Sequence, residues 1–236
     1  LVSAVNETAP SRLVRIWIGT SRGDAGKTRV TFVWEPATRL GVSGGGGQPA
    51  RVALTAAGDD GAPYYRGTVP DAAGSAPAPG GVAASEVTFE AVPGTTQLRV
   101  SVQGADAEVL DSEIRKITIP DLTKPQTALG TPGVFRARTP RDMQQIKSDP
   151  RPVPVAAREF SRTERLLIRV PAYGPGVAPP TVTARLLNRT GQAMNDLAVG
   201  AGADAAVREI DLPLAGLAPG EYVIEINASG DSGTAQ

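Results

Sequence analysis

The chain has 236 residues, of which 24 are basic and 24 acidic, so its formal net charge is zero. A neutral balance provides no long-range field toward nucleic acid or an anionic membrane, and we expect no nucleic acid partner. The sequence contains no His and no Cys. Their absence excludes disulfides and removes the usual general base, the thiol nucleophile and the commonest metal ligands. We therefore expect no enzyme activity, no catalytic residues, no cofactor and no metal site.

The length allows two domains of ordinary size, each able to bury its own core. No apolar run approaches the roughly 20 residues that a membrane helix requires, so we expect no membrane span. The chain starts at Leu1 without a charged and then apolar signal. This start suggests that the sequence is a processed or cut piece of a longer protein.

The first half alternates apolar and polar residues in short runs, the pattern of half-buried strands. These runs predict seven strands: Val14/Ile16/Ile18, Val30/Phe32/Trp34, Val52/Leu54/Ala56, Tyr64 to Val69, Val87/Phe89/Ala91, Leu98/Val100/Val102 and Val109 to Ile119. Seven antiparallel strands in about 110 residues are the content of an immunoglobulin-like or fibronectin-type-III-like β-sandwich. We predict a first β-sandwich domain over residues 1–121.

Prolines dominate the next stretch and forbid a continuous central strand or helix there: Pro120, Pro125, Pro132, Pro140, Pro150, Pro152 and Pro154. We predict a Pro-rich connector over residues 122–154. Inside it, Thr139 as a helix cap, Pro140 at the first helical position and Asp142 in the first turn predict one short helix near residues 140–147.

Alternation resumes after the connector and predicts a second β-sandwich domain over residues 155–236. Its six expected strands are Val155 to Phe160, Leu166/Ile168/Val170, Val182/Ala184/Leu186, a strand near Leu197, Ile210/Leu212 and Tyr222/Ile224/Ile226. The predicted fold class is therefore all-β, with two tandem immunoglobulin-like or fibronectin-III-like sandwiches joined by a Pro-rich linker with one short helix.

The two predicted domains share a structural corner. Pro93 and Gly94 align with Pro219 and Gly220, and Tyr222 falls where the hydroxyl of a tyrosine corner bonds back to upstream backbone. The first domain continues after its corner strand with another strand, but residues 227–236 contain only small and polar side chains. The last strand of the second domain is apparently missing. Either the natural protein continues past Gln236, or a partner fills an open sheet edge by strand addition.

Three motifs resemble functional sites but lack what those sites need. Gly23 to Thr28 ends like a phosphate-binding loop, but the required upstream Gly and following helix are missing, which favours a hairpin loop. Gly230-Asp231-Ser232-Gly233 is similar to the nucleophile segment of chymotrypsin-like proteases, but no His is present to take the serine proton, which favours a flexible tail. Gly58-Asp59-Asp60-Gly61 lacks the alternating oxygen ligands of a calcium loop and predicts a tight turn.

Three aromatic residues are candidates for binding a partner. Trp17 lies on the strand face opposite Ile16 and Ile18, where it is either a contact surface or a rim position covered by a loop. Tyr64 and Tyr65 point to opposite faces of their predicted strand, so we expect one of them to be exposed.

Four segments carry a family resemblance: Gly130 to Thr139 (GTPGVFRART), Arg158 to Val170 (REFSRTERLLIRV), Ala184 to Arg189 (ARLLNR) and Leu212 to Tyr222 (LPLAGLAPGEY). They resemble the C-terminal region of the large von Willebrand factor A-related proteins of acidobacteria and similar soil bacteria. In that family a signal peptide and an A domain come first, and a final strand closes the last sandwich. The metal-binding Asp-x-Ser-x-Ser motif of A domains has no counterpart here, so the resemblance implies no metal site.

The expected function is that of a non-catalytic extracytoplasmic β-sandwich scaffold, periplasmic, secreted or on the bacterial cell surface. It would space or assemble domains in an adhesive or structural role. Its expected partner is another protein or its own upstream domains, recruited by strand addition at the open edge of the second domain. The alternative is a ligand-binding module for a polysaccharide or a surface protein.

Overall fold

The structure is a computed structural model that describes residues 11–37, 48–69, 85–176, 178–230 and 232–236. These residues are almost entirely β-strand, arranged in several antiparallel sheets with one short helix, which confirms the predicted all-β class. The chain divides into two compact units, residues 1–121 and 122–236, which are described separately. Within the described ranges, no helix is long and apolar enough to cross a membrane.

The described part of the first unit forms two antiparallel sheets. One has the strand order β1-β2-β5 and the other β4-β3-β6-β7. The strands are β1 (Val14–Arg22), β2 (Thr28–Pro36), β3 (Arg51–Gly58), β4 (Pro63–Val69), β5 (Ser85–Ala91), β6 (Gly94–Gln103) and β7 (Val109–Ile119). Alternate residues of both sheets pack into one core, in which Phe32, Leu54 and Leu98 are almost fully buried. Two sheets that share one core in this way form a β-sandwich.

Turns of defined geometry join neighbouring strands of this unit. Between β1 and β2, Ala25 and Gly26 adopt positive φ angles of 50° and 77°, as a tight hairpin requires. Between β3 and β4, the Gly61 N–H donates to the Gly58 carbonyl, and the Asp60 carboxylate accepts the Ala62 N–H. Both segments that resembled phosphate or calcium loops are therefore hairpin turns.

The second unit also contains two antiparallel sheets. One has the order β13-β14-β10, with β8 and β9 on the far side of β10, and the other has the order β12-β11-β15-β16. The elements are β8 (Ala128–Leu129), β9 (Gly133–Ala137), α1 (Pro140–Ser148), β10 (Arg165–Tyr173), β11 (Thr181–Asn188), β12 (Ala193–Leu197), β13 (Val199–Ala201), β14 (Val207–Pro213), β15 (Tyr222–Gly230) and β16 (Gly233–Ala235). Ile168 and Ile210 of the first sheet pack against Ala184 of the second.

The segment expected to be a connector belongs to the second unit instead. Strand β9 pairs with β10 from Gly133↔Arg169 to Ala137↔Arg165, and β8 pairs with the end of the same strand. Strand β9 has five residues, which is enough for an edge strand. It lies between two prolines, neither of which falls inside it. The strand expected at Val155 to Phe160 is not formed: β9 and β14 already pair with the two edges of β10, and the Val155 N–H donates to the Val134 carbonyl of β9.

Helix α1 covers the sheet beside β9, and its position agrees with the predicted helix near residues 140–147. Met143 and the half-buried Ile146 pack on Phe135 and the fully buried Leu167. The Thr139 hydroxyl accepts the Asp142 N–H at 3.1 Å, and the Asp142 carboxylate accepts the Thr139 N–H at 3.0 Å, so both partners form a capping box.

The end of the chain is not a free tail. Strand β16 pairs with β15 from Ala228↔Ala235 to Gly230↔Gly233. Strand β16 has three residues, whereas β7, which pairs with the corresponding corner strand of the first unit, has 11. Its Gly, Thr and Ala residues gave no apolar alternation from which a strand could be predicted.

Candidate functional site: the free edge of β15

Strand β15 is paired very differently on its two sides. On one side, β11 pairs with every residue of β15 except the last, from Asn188↔Tyr222 to Thr181↔Ser229. On the other side β16 covers only residues 228–230. Among the described residues no strand pairs with the other side of residues 222–227. We call this stretch the β15 edge.

The first unit shows what a completed edge looks like. Strand β6 follows the Pro93–Gly94 corner as β15 follows the Pro219–Gly220 corner, and β6 pairs with β7 from Gly94↔Ile119 to Gln103↔Val109. Every second residue of an unpaired edge directs a backbone N–H and C=O outward. The β15 edge thus presents about three such residues to a further strand.

The corner before β15 fixes where the edge begins. The Tyr222 hydroxyl donates to the Ala218 carbonyl oxygen at 2.7 Å, and the ring packs against the core around Leu186 and Leu212. In the first unit the corresponding residue is Thr96, and there Gly94 adopts a φ of 139° that side chains disfavour. The corner of the second unit is held by a hydrogen bond from a tyrosine hydroxyl, whereas the corner of the first unit depends on the conformation of a glycine.

The side chains of the β15 edge are apolar toward the core and mixed toward solvent. Ile224 and Ile226 pack on the core, while Val223 is 52% exposed on the opposite face. The Glu225 carboxylate accepts a hydrogen bond from the Gln236 side chain at 3.0 Å. A strand added at this edge would lie alongside Val223 on its outer face.

Ser232, from the protease-like motif, has a structural partner. Its hydroxyl lies 3.0 Å from that of Thr127, which is buried just before β8. This contact ties the β15–β16 hairpin to the neighbouring sheet. The sequence contains no imidazole to take the serine proton.

Trp17 lies on the outer face of β1, opposite Ile16 and Ile18. It pairs with Val33, and its indole ring packs directly over Gly19, where any Cβ would overlap the ring. The ring is half-buried. Its cross-strand partner Val33 is 0% exposed, so this face of the sheet is covered next to Trp17. Trp17 lies in a different unit from the β15 edge.

Tyr64 and Tyr65 are both half-buried and both contact the core of the first unit, so neither is freely exposed. A register shift between Ala56 and Ala57 breaks the strict alternation that the prediction assumed. The Tyr65 ring stacks on Phe89 of the other sheet, with centroids 5.8 Å apart. The structure therefore does not bring Trp17, Tyr64 and Tyr65 together as one binding surface.

The described ranges contain no group of three or more acidic side chains placed to hold a metal ion. No family model, curated protein or solved structure matches this chain. The geometry of the β15 edge and the chemistry of the surfaces are therefore the basis for a functional proposal.

Proposed function

We propose that this protein is a non-catalytic extracytoplasmic β-sandwich scaffold that spaces or assembles domains in an adhesive or structural role. A strand from a protein partner or from its own upstream domains adds to the β15 edge. The observation that carries the proposal is the unpaired side of residues 222–227, next to a β16 of three residues. Main-chain hydrogen bonds along an edge provide affinity for any extended strand, and side chains select among strands.

Strand β7 of the first unit illustrates how an edge is protected against such pairing. Asp111, Glu113 and Arg115 all lie in register with core residues of β6 and so point inward. The Glu113 carboxylate accepts the Ser11 N–H at 2.9 Å and lies 2.8 Å from the Arg115 Nε. Inward-pointing charges of this kind discourage another strand from docking.

The β15 edge carries no comparable protection. Its inward residues include Ile224 and Ile226, and its most exposed large side chain is Val223. An edge with apolar inward side chains and free backbone groups favours pairing with another strand. This difference supports strand addition at the second unit and not at β7.

The strand order supports a fibronectin-type-III-like identity for the first unit. In immunoglobulin constant domains the fourth strand joins the sheet of the first, second and fifth strands. Here β4 pairs with β3 instead. We infer that both units are modules of the kind that cell-surface proteins repeat as spacers.

The other parts of the proposal come from the sequence. A chain with no His and no Cys lacks the most frequent general base and the thiol nucleophile, which favours a non-catalytic role. The extracytoplasmic location and the adhesive role follow from the resemblance to von Willebrand factor A-related proteins.

A pair of single-cysteine variants tests the location and the edge together, because the natural chain has no competing thiol. Val223→Cys reports on the β15 edge, and Val92→Cys is the matched control, since the two valines are 52% and 51% exposed. In intact source cells, a maleimide that does not cross the cytoplasmic membrane should label Val92→Cys. Val223→Cys should be protected in the cells and become reactive in the purified chain.

The two parts of the proposal fail in different ways. Labelling of Val92→Cys only after lysis would contradict the extracytoplasmic location. Equal labelling of both variants in intact cells would contradict strand addition at the β15 edge.

A further inference from the structure

A hollow of about 550 Å³ lies on the outer face of the four-stranded sheet in the first unit. Its floor consists of small residues of β3, Thr55, Ala57 and Gly58. Long cationic side chains from the other three strands surround this floor: Arg66 on β4, Arg99 on β6 and Lys116 on β7. The hollow exists because short side chains on the second strand of the sheet lie between long ones.

The three cations of the hollow are not neutralised by the chain. Among the described residues, Arg66, Arg99 and Lys116 have no ion pair or side-chain hydrogen bond. By contrast, Arg29 lies 3.0 Å from Glu90, and Arg169 lies 2.8 Å from Glu209. Three unpaired cations around one concavity concentrate a positive potential at one place in a chain of zero net charge.

The strand register spaces these charges across the sheet. Thr55 pairs with Arg66 on one side and with Arg99 on the other, which places the two arginines about 10 Å apart, two strand spacings. On the far side of Arg99, Ile114 of β7 is its direct partner, and Lys116, two residues along β7, is its diagonal neighbour at about 7–8 Å. An elongated ligand that crosses the strands can therefore contact all three cations.

The neutral side chains of the hollow define the chemistry of that ligand further. Thr55, Thr95 and Gln97 supply hydroxyl and amide groups beside the cations, and Asp59 is the one acid in the described lining. This lining contains no aromatic and no large aliphatic side chain. Protein partners are usually anchored by buried aromatic residues, and single-stranded nucleic acids by stacking, so neither matches the lining.

We propose that this face of the first unit binds an anionic polysaccharide, with Arg66, Arg99 and Lys116 holding its carboxylate or sulfate groups. Thr55, Thr95 and Gln97 hydrogen-bond to the sugar hydroxyls. The site goes beyond the scaffold function and does not depend on the β15 edge, which belongs to the other unit.

Titration calorimetry at low salt tests the site, with polygalacturonate as the carboxylated probe, heparin as the sulfated probe and dextran as the neutral one. At least one anionic polysaccharide should bind, and dextran should not. The triple variant Arg66→Gln/Arg99→Gln/Lys116→Gln should bind about tenfold more weakly or worse. Asp59→Asn, which removes the acid of the lining, should bind more tightly.

The matched control removes the same charge elsewhere. Lys27, Arg141 and Arg189 are exposed and outside the hollow, and Lys27→Gln/Arg141→Gln/Arg189→Gln should keep the affinity of the natural chain. Equal loss in both triple variants, or no binding of either polysaccharide, would overturn the proposal. So would polyglutamate binding as tightly as the polysaccharides, which would indicate an acidic peptide ligand. Unchanged thermal unfolding of the triple variant shows that lost binding is not lost folding.

Discussion

Two threonines in the first unit are equally buried but differ in the hydrogen bonding of their hydroxyls. Thr28 and Thr96 are both 0% exposed. The Thr28 hydroxyl donates to the Pro120 carbonyl oxygen at 2.6 Å, whereas the Thr96 hydroxyl has no partner among the described residues. A buried hydroxyl without a partner costs about 1–3 kcal/mol, so the same chemical change should have opposite effects at the two positions.

Thr96→Val should raise the free energy of unfolding by about 1 kcal/mol, because it replaces an unsatisfied hydroxyl with a methyl group of similar size. Thr28→Val should lower it by about 1–2 kcal/mol, because it leaves the Pro120 carbonyl without its donor. Urea unfolding of both variants beside the natural chain measures the two changes. A loss of stability in Thr96→Val would show that its hydroxyl is satisfied in solution.

At the scale of single elements, helix α1 depends on its capping box. Hydrogen bonding with the Thr139 side chain, and then with the N–H groups of Arg138 and Thr139, lowers the pKa of Asp142 against the opposing effect of burial. A carboxyl whose pKa is lower in the folded than in the unfolded chain stabilises the fold at pH values above its unfolded pKa, which is about 3.9. This contribution is lost as the pH falls through the lowered folded pKa.

Thr139→Ala should therefore lower the free energy of unfolding at neutral pH by about 1 kcal/mol, the usual cost of losing a cap. Asp142→Asn should also destabilise at neutral pH, but its difference from the natural chain should shrink below pH 4. Urea unfolding of the second unit at both pH values measures this. A pH-independent difference would show that the carboxylate does not act through its charge.

Elements with long apolar alternation were predictable from the sequence, and short ones were not. Leu166, Ile168 and Val170 identify β10 by themselves, since all three share one face of the strand and are buried. Strand β9 has only five residues, and β16 has three without a large apolar side chain. Strand β9 depends on pairing with β10, which is distant in the sequence. Strand β16 depends on the end of β15, which extends beyond the predicted strand. A local sequence pattern could indicate neither pairing.

The candidate sites likewise divide into those that a single segment of the sequence defines and those that depend on the pairing of separate strands. The Pro219–Gly220 corner and Tyr222 were visible because their spacing within one segment defines the turn. The hollow around Arg66, Arg99 and Lys116 was not, because its residues come from separate strands and meet only through the register. Similarly, the register shift at Ala56 places Tyr64 against the core, although simple alternation assigned the two tyrosines to opposite faces.

At the scale of the whole molecule, the position of the boundary between the units decides which fragments can fold. The second unit starts at residue 122, and its first elements complete the sheet around β10. Phe135 and Met143 cover the fully buried Leu167. Farther along, Glu164 is 7% exposed and lies 3.2 Å from Arg138, so the segment before residue 155 also supplies a charge partner.

A fragment of residues 122–236 should therefore fold cooperatively, whereas a fragment of residues 155–236 should not. The shorter fragment exposes Leu167 and one edge of β10 and leaves Glu164 without Arg138, a combination that costs several kcal/mol, as much as a small domain has in total. Circular dichroism during urea titration distinguishes a sigmoidal from a gradual transition, and the longer fragment is the internal control. Cooperative unfolding of the 155–236 fragment would mean that β8, β9 and α1 are a dispensable connector after all. If the 155–236 fragment unfolds gradually and the 122–236 fragment shows a sigmoidal transition, these proline-flanked elements are part of the folded unit.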